Sequence, residues 1–176
     1  SWTYRKNITF NGNKIGEDNL SNFPILINIT DANLSQYAQS DGDDILFTQS
    51  DGTTKINHEI QFYNSSIGYL VAWVQVPTLR NQTANTTIMM YYNNSAASSQ
   101  QNRTGVWISN YSMAHHLEEN GTQVNDSTQY RNNGTVRNGA FFNSSGWIDG
   151  SYSFDGADDF INISNSSSLD DIPVNN

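Results

Sequence analysis

The residues able to do chemistry in this chain fall into three sets: asparagines two positions ahead of Ser or Thr, clusters of Asp, and three histidines. Asn-x-Ser/Thr is the acceptor triplet for an N-linked glycan. It begins at Asn7, Asn19, Asn28, Asn33, Asn64, Asn81, Asn85, Asn93, Asn102, Asn110, Asn120, Asn125, Asn133, Asn143, Asn162 and Asn165. With 25 Asn and 35 Ser plus Thr in 176 residues, random order gives roughly 5 triplets against these 16. The threefold excess already allows for the Asn/Ser/Thr-rich composition. It predicts an exported glycoprotein, extracellular or on a cell surface.

Catalysis is poorly served. The histidines are His58, His115 and His116; there is no Cys and no Gly-x-Ser-x-Gly elbow, so acyl transfer lacks an activated nucleophile. Glycoside hydrolysis needs two facing carboxylates, but Glu59 stands alone in HEIQ and the adjacent Glu118 and Glu119 alternate sides of a strand. HEIQ also lacks the second histidine of a zinc-protease helix. No enzymatic role is expected. His58 with Glu59, and His115 with His116, read as alternating strand residues, one packed and one wet.

The carboxylate clusters Asp41, Asp43, Asp44 (DGDD) and Asp155, Asp158, Asp159 (DGADD) suit the hard oxygen chemistry of calcium. Neither is an EF-hand, because the closing position counted from Asp41 is Gly52. Asp-Gly also makes tight turns, so turn and calcium loop both stay open. Among aromatics outside clear core parity, namely Trp107, Tyr111, Tyr130 and Trp147, we take Tyr130 and Trp147 as candidate ligand-binding rings, able to stack on a pyranose.

Positioning falls to strands. In the opening strand Trp2, Tyr4, Ile8 and Phe10 share the core parity while Arg5, Asn7 and Thr9 face water; Asn28 and Asn162 likewise stand between inward isoleucines. Further strands are expected at 24–30, 44–48, 54–63, 68–76, 85–92, 112–117, 134–142, 151–154 and 159–163, with no amphipathic helix. The stretch 69–76 is apolar on both parities, hence a central strand, with 86–92 as its expected neighbour. The chain carries a net charge of -9 with eight scattered Lys and Arg, which excludes a nucleic-acid partner, and its apolar residues are too dispersed for a membrane span. Without Cys, neither disulfides nor thiolate zinc can staple the fold. The opening Ser1-Trp2, without Met or signal features, suggests a mature or excised chain.

Periodicity lapses at NNSAASSQQNR, so we expect residues 1–95 to form one β-sandwich domain, 96–111 a linker, and 112–176 a second, partial β domain. The blocks WTYRKNITF, NFPILINI, DGDDILFTQSDGTTKINHEIQFY, YLVAWVQVPTL and TTIMMYYNN resemble a prokaryotic surface-protein domain of unknown function, one that often precedes concanavalin-A-like (laminin-G-like) domains. MAHHLEENGTQVNDSTQYRNNGTV and GSYSFDGADDFINISNSSSLDD look like the start of such a lectin-like domain. The resemblance implies an all-β, antiparallel, jelly-roll-like sandwich followed by a partial concanavalin-A-like one. It also implies calcium near the ligand face, with Asp126 as a further ligand beside Asp155, Asp158 and Asp159. Dense sequons without cysteine fit an archaeal surface. The expected function is structural, in a filament, stalk or surface layer. Copies of the chain, arranged head to tail, or further domains of a longer chain would complete the second sheet; the alternative is a carbohydrate-binding or adhesin module.

Overall fold

The computed structural model describes residues 1–170 except 83 and 109, and it is nearly all β, with every paired strand antiparallel. Expected residues 171–176 of the second domain lie outside the described residues. The chain divides into two compact units, Ser1–Val106 and Trp107–Asn176.

In the first unit β1 (Tyr4–Phe10), β7 (Thr86–Tyr92), β3 (Leu46–Gln49) and β4 (Lys55–Ile56) form one sheet in that order; β2 (Leu20–Thr30), β6 (Tyr69–Leu79) and β5 (His58–Asn64) form the other. Strand parity decides what lies between them. Leu70, Ala72, Val74 and Val76 of β6 and Ile27 of β2 share one apolar cluster with Phe47 of β3 and with Ile88, Met90 and Tyr92 of β7. The sheets are therefore packed as a sandwich.

The expected pairing of 69–76 with 86–92 is corrected by the register: β6 lies between β2 and β5, and β7 between β1 and β3. Both strands do line the core, but from opposite sheets, because the chain crosses from one sheet to the other after Leu79. The same crossing happens at Asn57, between β4 and β5. Two short helices interrupt the strands, a 3-10 turn at Gly12–Lys14 and α1 (Ala32–Tyr37); Asp31 caps α1 by accepting from the Asn33 amide, and Leu34 anchors it in the core. Asp31 also pairs with Lys6 of β1. Burial opposes the Asp31 charge, but the Lys6 contact and the Asn33 amide outweigh it and hold the carboxyl below its usual range. Gly68 precedes β6 at φ +68°, and a Cβ there would fall 1.9 Å from the Asp31 carbonyl oxygen, so no other residue fits.

Strand turns are set by side chains. Asn11, Asp31, Asp41, Asp51, Asn64, Asp126, Asn143 and Asp155 each accept a hydrogen bond from the amide two residues on, the Asx turn. Asp41, Asp43 and Asp44 are accordingly a turn with a buried anchor. Asp44 is fully buried and accepts from the Gln39 and Asn94 amides, while the Trp2 indole donates to its carbonyl.

The second unit has α2 (Arg103–Val106) just before it and contains β8 (Gln123–Val124), β9 (Gly134–Arg137), β10 (Phe141–Asn143), β11 (Ser151–Ser153), β12 (Phe160–Ile163) and α3 (Ser167–Asp170). The sheets are β12-β9-β8 and β10-β11. Residues 112–117, expected as a strand, contribute one bridge, His115 to Asp126. Gly134 lies where β8 and β12 flank β9; a Cβ would fall 2.4 Å from Ile161 and 2.7 Å from Val124. Apolar burial is thin here. Among the described residues only Trp107, Val124 and Tyr152 count as buried hydrophobics of this unit, while Phe141, Trp147, Phe154 and Phe160 are exposed.

His58 begins β5 fully buried, its ring edge-on to Phe47 at 5.1 Å. Its ring nitrogens approach the Ile45 and Ile56 carbonyls, but neither reaches a hydrogen bond of ordinary geometry. Burial first, and then the Lys55 charge, lower its pKa to about 4. Folding therefore favours the neutral ring: the stability it allows is whole above pH about 6.5 and is lost as pH falls toward 4, when the unfolded chain binds the proton first. A shift of this size is worth about 3 kcal/mol. His58→Leu should flatten the loss of stability between pH 6.5 and 4 by about that amount, read from urea midpoints by Trp73 fluorescence; unchanged pH dependence would contradict it.

Candidate functional site

Three arrangements could serve function: the surface asparagines, the acidic loop of the second unit, and the segment laid along β5. Each follows from local chemistry. Strand alternation places Asn7, Asn28 and Asn162 on exposed positions of β1, β2 and β12. None of the 16 sequon asparagines is buried; the one asparagine that is buried among the described residues, Asn132, is outside any sequon. Its amide donates to the Ser112 carbonyl and to Ser168 Oγ and so fastens the second unit.

The acidic loop joins β11 to β12. Asp155, Asp158 and Asp159 bring one carboxylate oxygen each within 4.8 Å of the others. Asp155 Oδ1 accepts from the Ala157 amide and Asp159 Oδ2 from the Asp155 amide, so the loop is already shaped by its own hydrogen bonds. The three could hold a divalent cation, with most of the about six to eight oxygens that calcium takes still to come from backbone and water.

Asp126 is not part of that group. It is buried, and its two oxygens accept from the amides of Ala114, Thr128 and Asn132 and from the Thr128 hydroxyl, at 2.7–2.9 Å. Four donors fill the lone pairs of a carboxylate, which leaves this residue a structural knot. Burial opposes its charge, yet those donors outweigh it and hold the carboxyl below its usual range. Of the candidate rings, Tyr130 is partly exposed and Trp147, between β10 and β11, fully so. Trp107 is buried, edge-on to Tyr111 at 5.4 Å and near His116 at 5.7 Å.

Residues 94–106 make the least expected arrangement, since small polar residues without periodicity read as a linker. They form a strap. Gln39 Nε2 donates to the carbonyls of Asn94 and Ala97; Gln101 Oε1 accepts from the Ile60 amide; the Asn102 amide donates to the His58 carbonyl. The last two of these bonds satisfy backbone groups of Ile60 and His58 in β5, the end strand of its sheet. Farther along, Asn57 donates to the Gly105 carbonyl, Gln75 to that of Val106, and Arg103 Nε meets Glu59 Oε1 at 2.5 Å. Glu59 is nearly as buried as His58, where alternation predicted one packed and one wet residue. The strap covers the face that would have been wet. His115 and His116 depart from that expectation too, for both are half-buried. The only sequence signal for the strap is its density of Asn and Gln, side chains that donate and accept at once.

Fold and site together define an all-β protein of antiparallel packed sheets with an acceptor-rich surface. The chain belongs to the family described as Domain of unknown function (DUF2341), whose model matches residues 41–133, just over half of it. That match runs from the Asp41 turn through β3–β7 and the strap to the Asp126 knot and Asn133. No curated protein and no solved structure is significantly similar to the chain.

Arg103→Ala should free the strap, so that the Ile60 and Asn102 amides exchange hydrogen at least about tenfold faster while β2 and β6 are unchanged; equal rates would contradict the role given to this ion pair. Asp126→Ala strands four donors and should lower the stability of the second unit by about 3 kcal/mol or more, measured by denaturant unfolding; a loss below about 1 kcal/mol would contradict the knot.

Proposed function

We propose that this protein is a non-enzymatic, N-glycosylated component of an extracellular or cell-surface structure, built into a filament, stalk or surface layer. The observation that carries the reading is the placement of acceptors: 16 sequon asparagines, all outside the core, with the buried Asn132 excluded from the set. A glycan at Asn7, Asn28 or Asn162 projects from the outer face of a strand and displaces no packing.

The thin core of the second unit supports completion from outside. Phe141 and Phe154 are still 61% and 49% exposed, and covering that remainder with a further sheet would return roughly 1–1.5 kcal/mol each. A neighbouring subunit, head to tail, or further strands of a longer chain would supply that sheet, and a heterologous contact of the first kind propagates into a polymer. A concanavalin-A-like second domain and an archaeal setting belong to the same reading. The alternative, a carbohydrate-binding module, draws its support from the full exposure of Trp147.

Glycopeptide mass spectrometry on protein purified from its native source tests the proposal. Most sequons should carry glycan, Asn7, Asn28 and Asn162 among them. Bare asparagines at all three would overturn it.

A further inference from the structure

A cleft of about 470 Å³ opens in the first unit where the ends of β3, β6 and β7 part. That volume falls within the about 300–1,000 Å³ typical of small-ligand sites. Val76, Pro77 and Ile88 give it an apolar floor; Gln49, Ser50, Thr78 and Thr87 give it amide and hydroxyl walls. Among the described residues Arg80 is its one charged residue and no carboxylate lines it, in a chain of net charge -9. Hydroxyl-rich rings with one apolar face match such a lining: the walls and the guanidinium donate and accept, and the floor meets C–H groups.

The lining contains no aromatic ring. A free sugar would therefore find no stacking platform and would bind weakly. A tethered sugar is different, because a short link raises its effective concentration to the order of mM without any new contact. The tether is present in the wall. Asn85 is the only asparagine lining the cleft among the described residues, it is exposed, and it opens the sequon Asn85-Thr86-Thr87. Its Oδ1 accepts from the Gly12 amide at 3.1 Å, which fixes the amide group and leaves Nδ2, the atom that carries a glycan, for the linkage. Thr86 Oγ1 accepts from the Arg80 amide at 2.8 Å, so the two ends of the connection between β6 and β7 are held together beside the cleft.

We propose that this cleft seats the glycan of its own Asn85, the first sugars folding back onto Gln49, Thr78 and Arg80. The inference rests on the glycosylation reading above and assigns it a site. The glycan at Asn85 then acts as a packing element of the sandwich end, whereas those at Asn7 and Asn28 project from strand faces.

The test is hydrogen exchange on the native glycoprotein, with site occupancy checked by glycopeptide mass. In the glycosylated protein the amides of Arg80, Asn81 and Thr86 should exchange about tenfold more slowly than in Asn85→Gln or Thr87→Val, both of which abolish the acceptor. Thr87→Val keeps the Asn85 contact to Gly12 and so separates loss of the sugar from loss of that bond. Arg80→Ala should speed exchange with the glycan still attached, and Asn28→Gln should leave it unchanged. Equal rates with and without an Asn85 glycan, or the same effect from Asn28→Gln, would overturn the proposal. So would a bare Asn85 among occupied sequons, whereas a chain with no glycan anywhere would overturn the functional reading itself. Glycan released from the protein and added to Asn85→Gln at about 10 mM, above the effective concentration of a loose tether, should restore the slow exchange, and at about 0.1 mM should leave it fast. No protection at the higher concentration would overturn the seat in the cleft, and full protection at the lower one would overturn the tethered source.

Discussion

A strand buried on both faces must be covered twice, and the first unit is organised around that requirement at β6. Its even-numbered residues Leu70, Ala72, Val74 and Val76 pack inward against the sheet of β1, β7, β3 and β4. On the opposite parity Val71 is fully buried and Gln75 nearly so. The strap supplies the second cover, for Gln75 reaches the Val106 carbonyl and Asn57, beside it, reaches that of Gly105. Removing the strap would expose the Glu59 carboxylate and the hydrogen-bonding edge of β5 together, a combination that invites pairing with another chain.

The second unit answers a different constraint. With few apolar residues inside, it is held by polar saturation: Asp126 takes four donors, Asn132 bridges Ser112 and Ser168, and the Tyr152 hydroxyl meets the carbonyls of Glu119 and Gly121. Such networks specify a shape well but add little net stability, since each bond replaces one to water. Acid weakens both units by separate routes. His58 in the first takes up a proton only at a cost, and a proton on Asp126 in the second sets an O–H donor against the four donors around it.

Period-two alternation made much of this legible in advance. It put Ile8 and Phe10 inward and Asn7 outward in β1, Asn28 outward in β2, and Asn162 outward in β12, and it marked β6 as central. Alternation reports which face is buried but not what covers it. That is why β7 could be recognised as a core strand and yet be assigned to the wrong sheet. The strap had no hydrophobic period to read, because its hold is by side-chain amides and backbone groups between residues as distant as Gln39 and Asn94. Asp126 looked like a loop acid in NDST; only its place as first residue of an Asx turn, two ahead of Thr128, hinted at a buried role. The cleft beside Asn85 needed the ends of three strands brought together. The Asp155 group was visible because its residues are neighbours in sequence.

The proposed function joins two readings, a glycan coat on the strand faces and a second unit completed by further strands. A density map of the native assembly, at a resolution that shows side chains, tests both at once. The account predicts branched density at Asn28 and Asn162 and an additional sheet, from another copy or a longer chain, lying over Phe141 and Phe154. Bare asparagines with those two phenylalanines facing open solvent would contradict it.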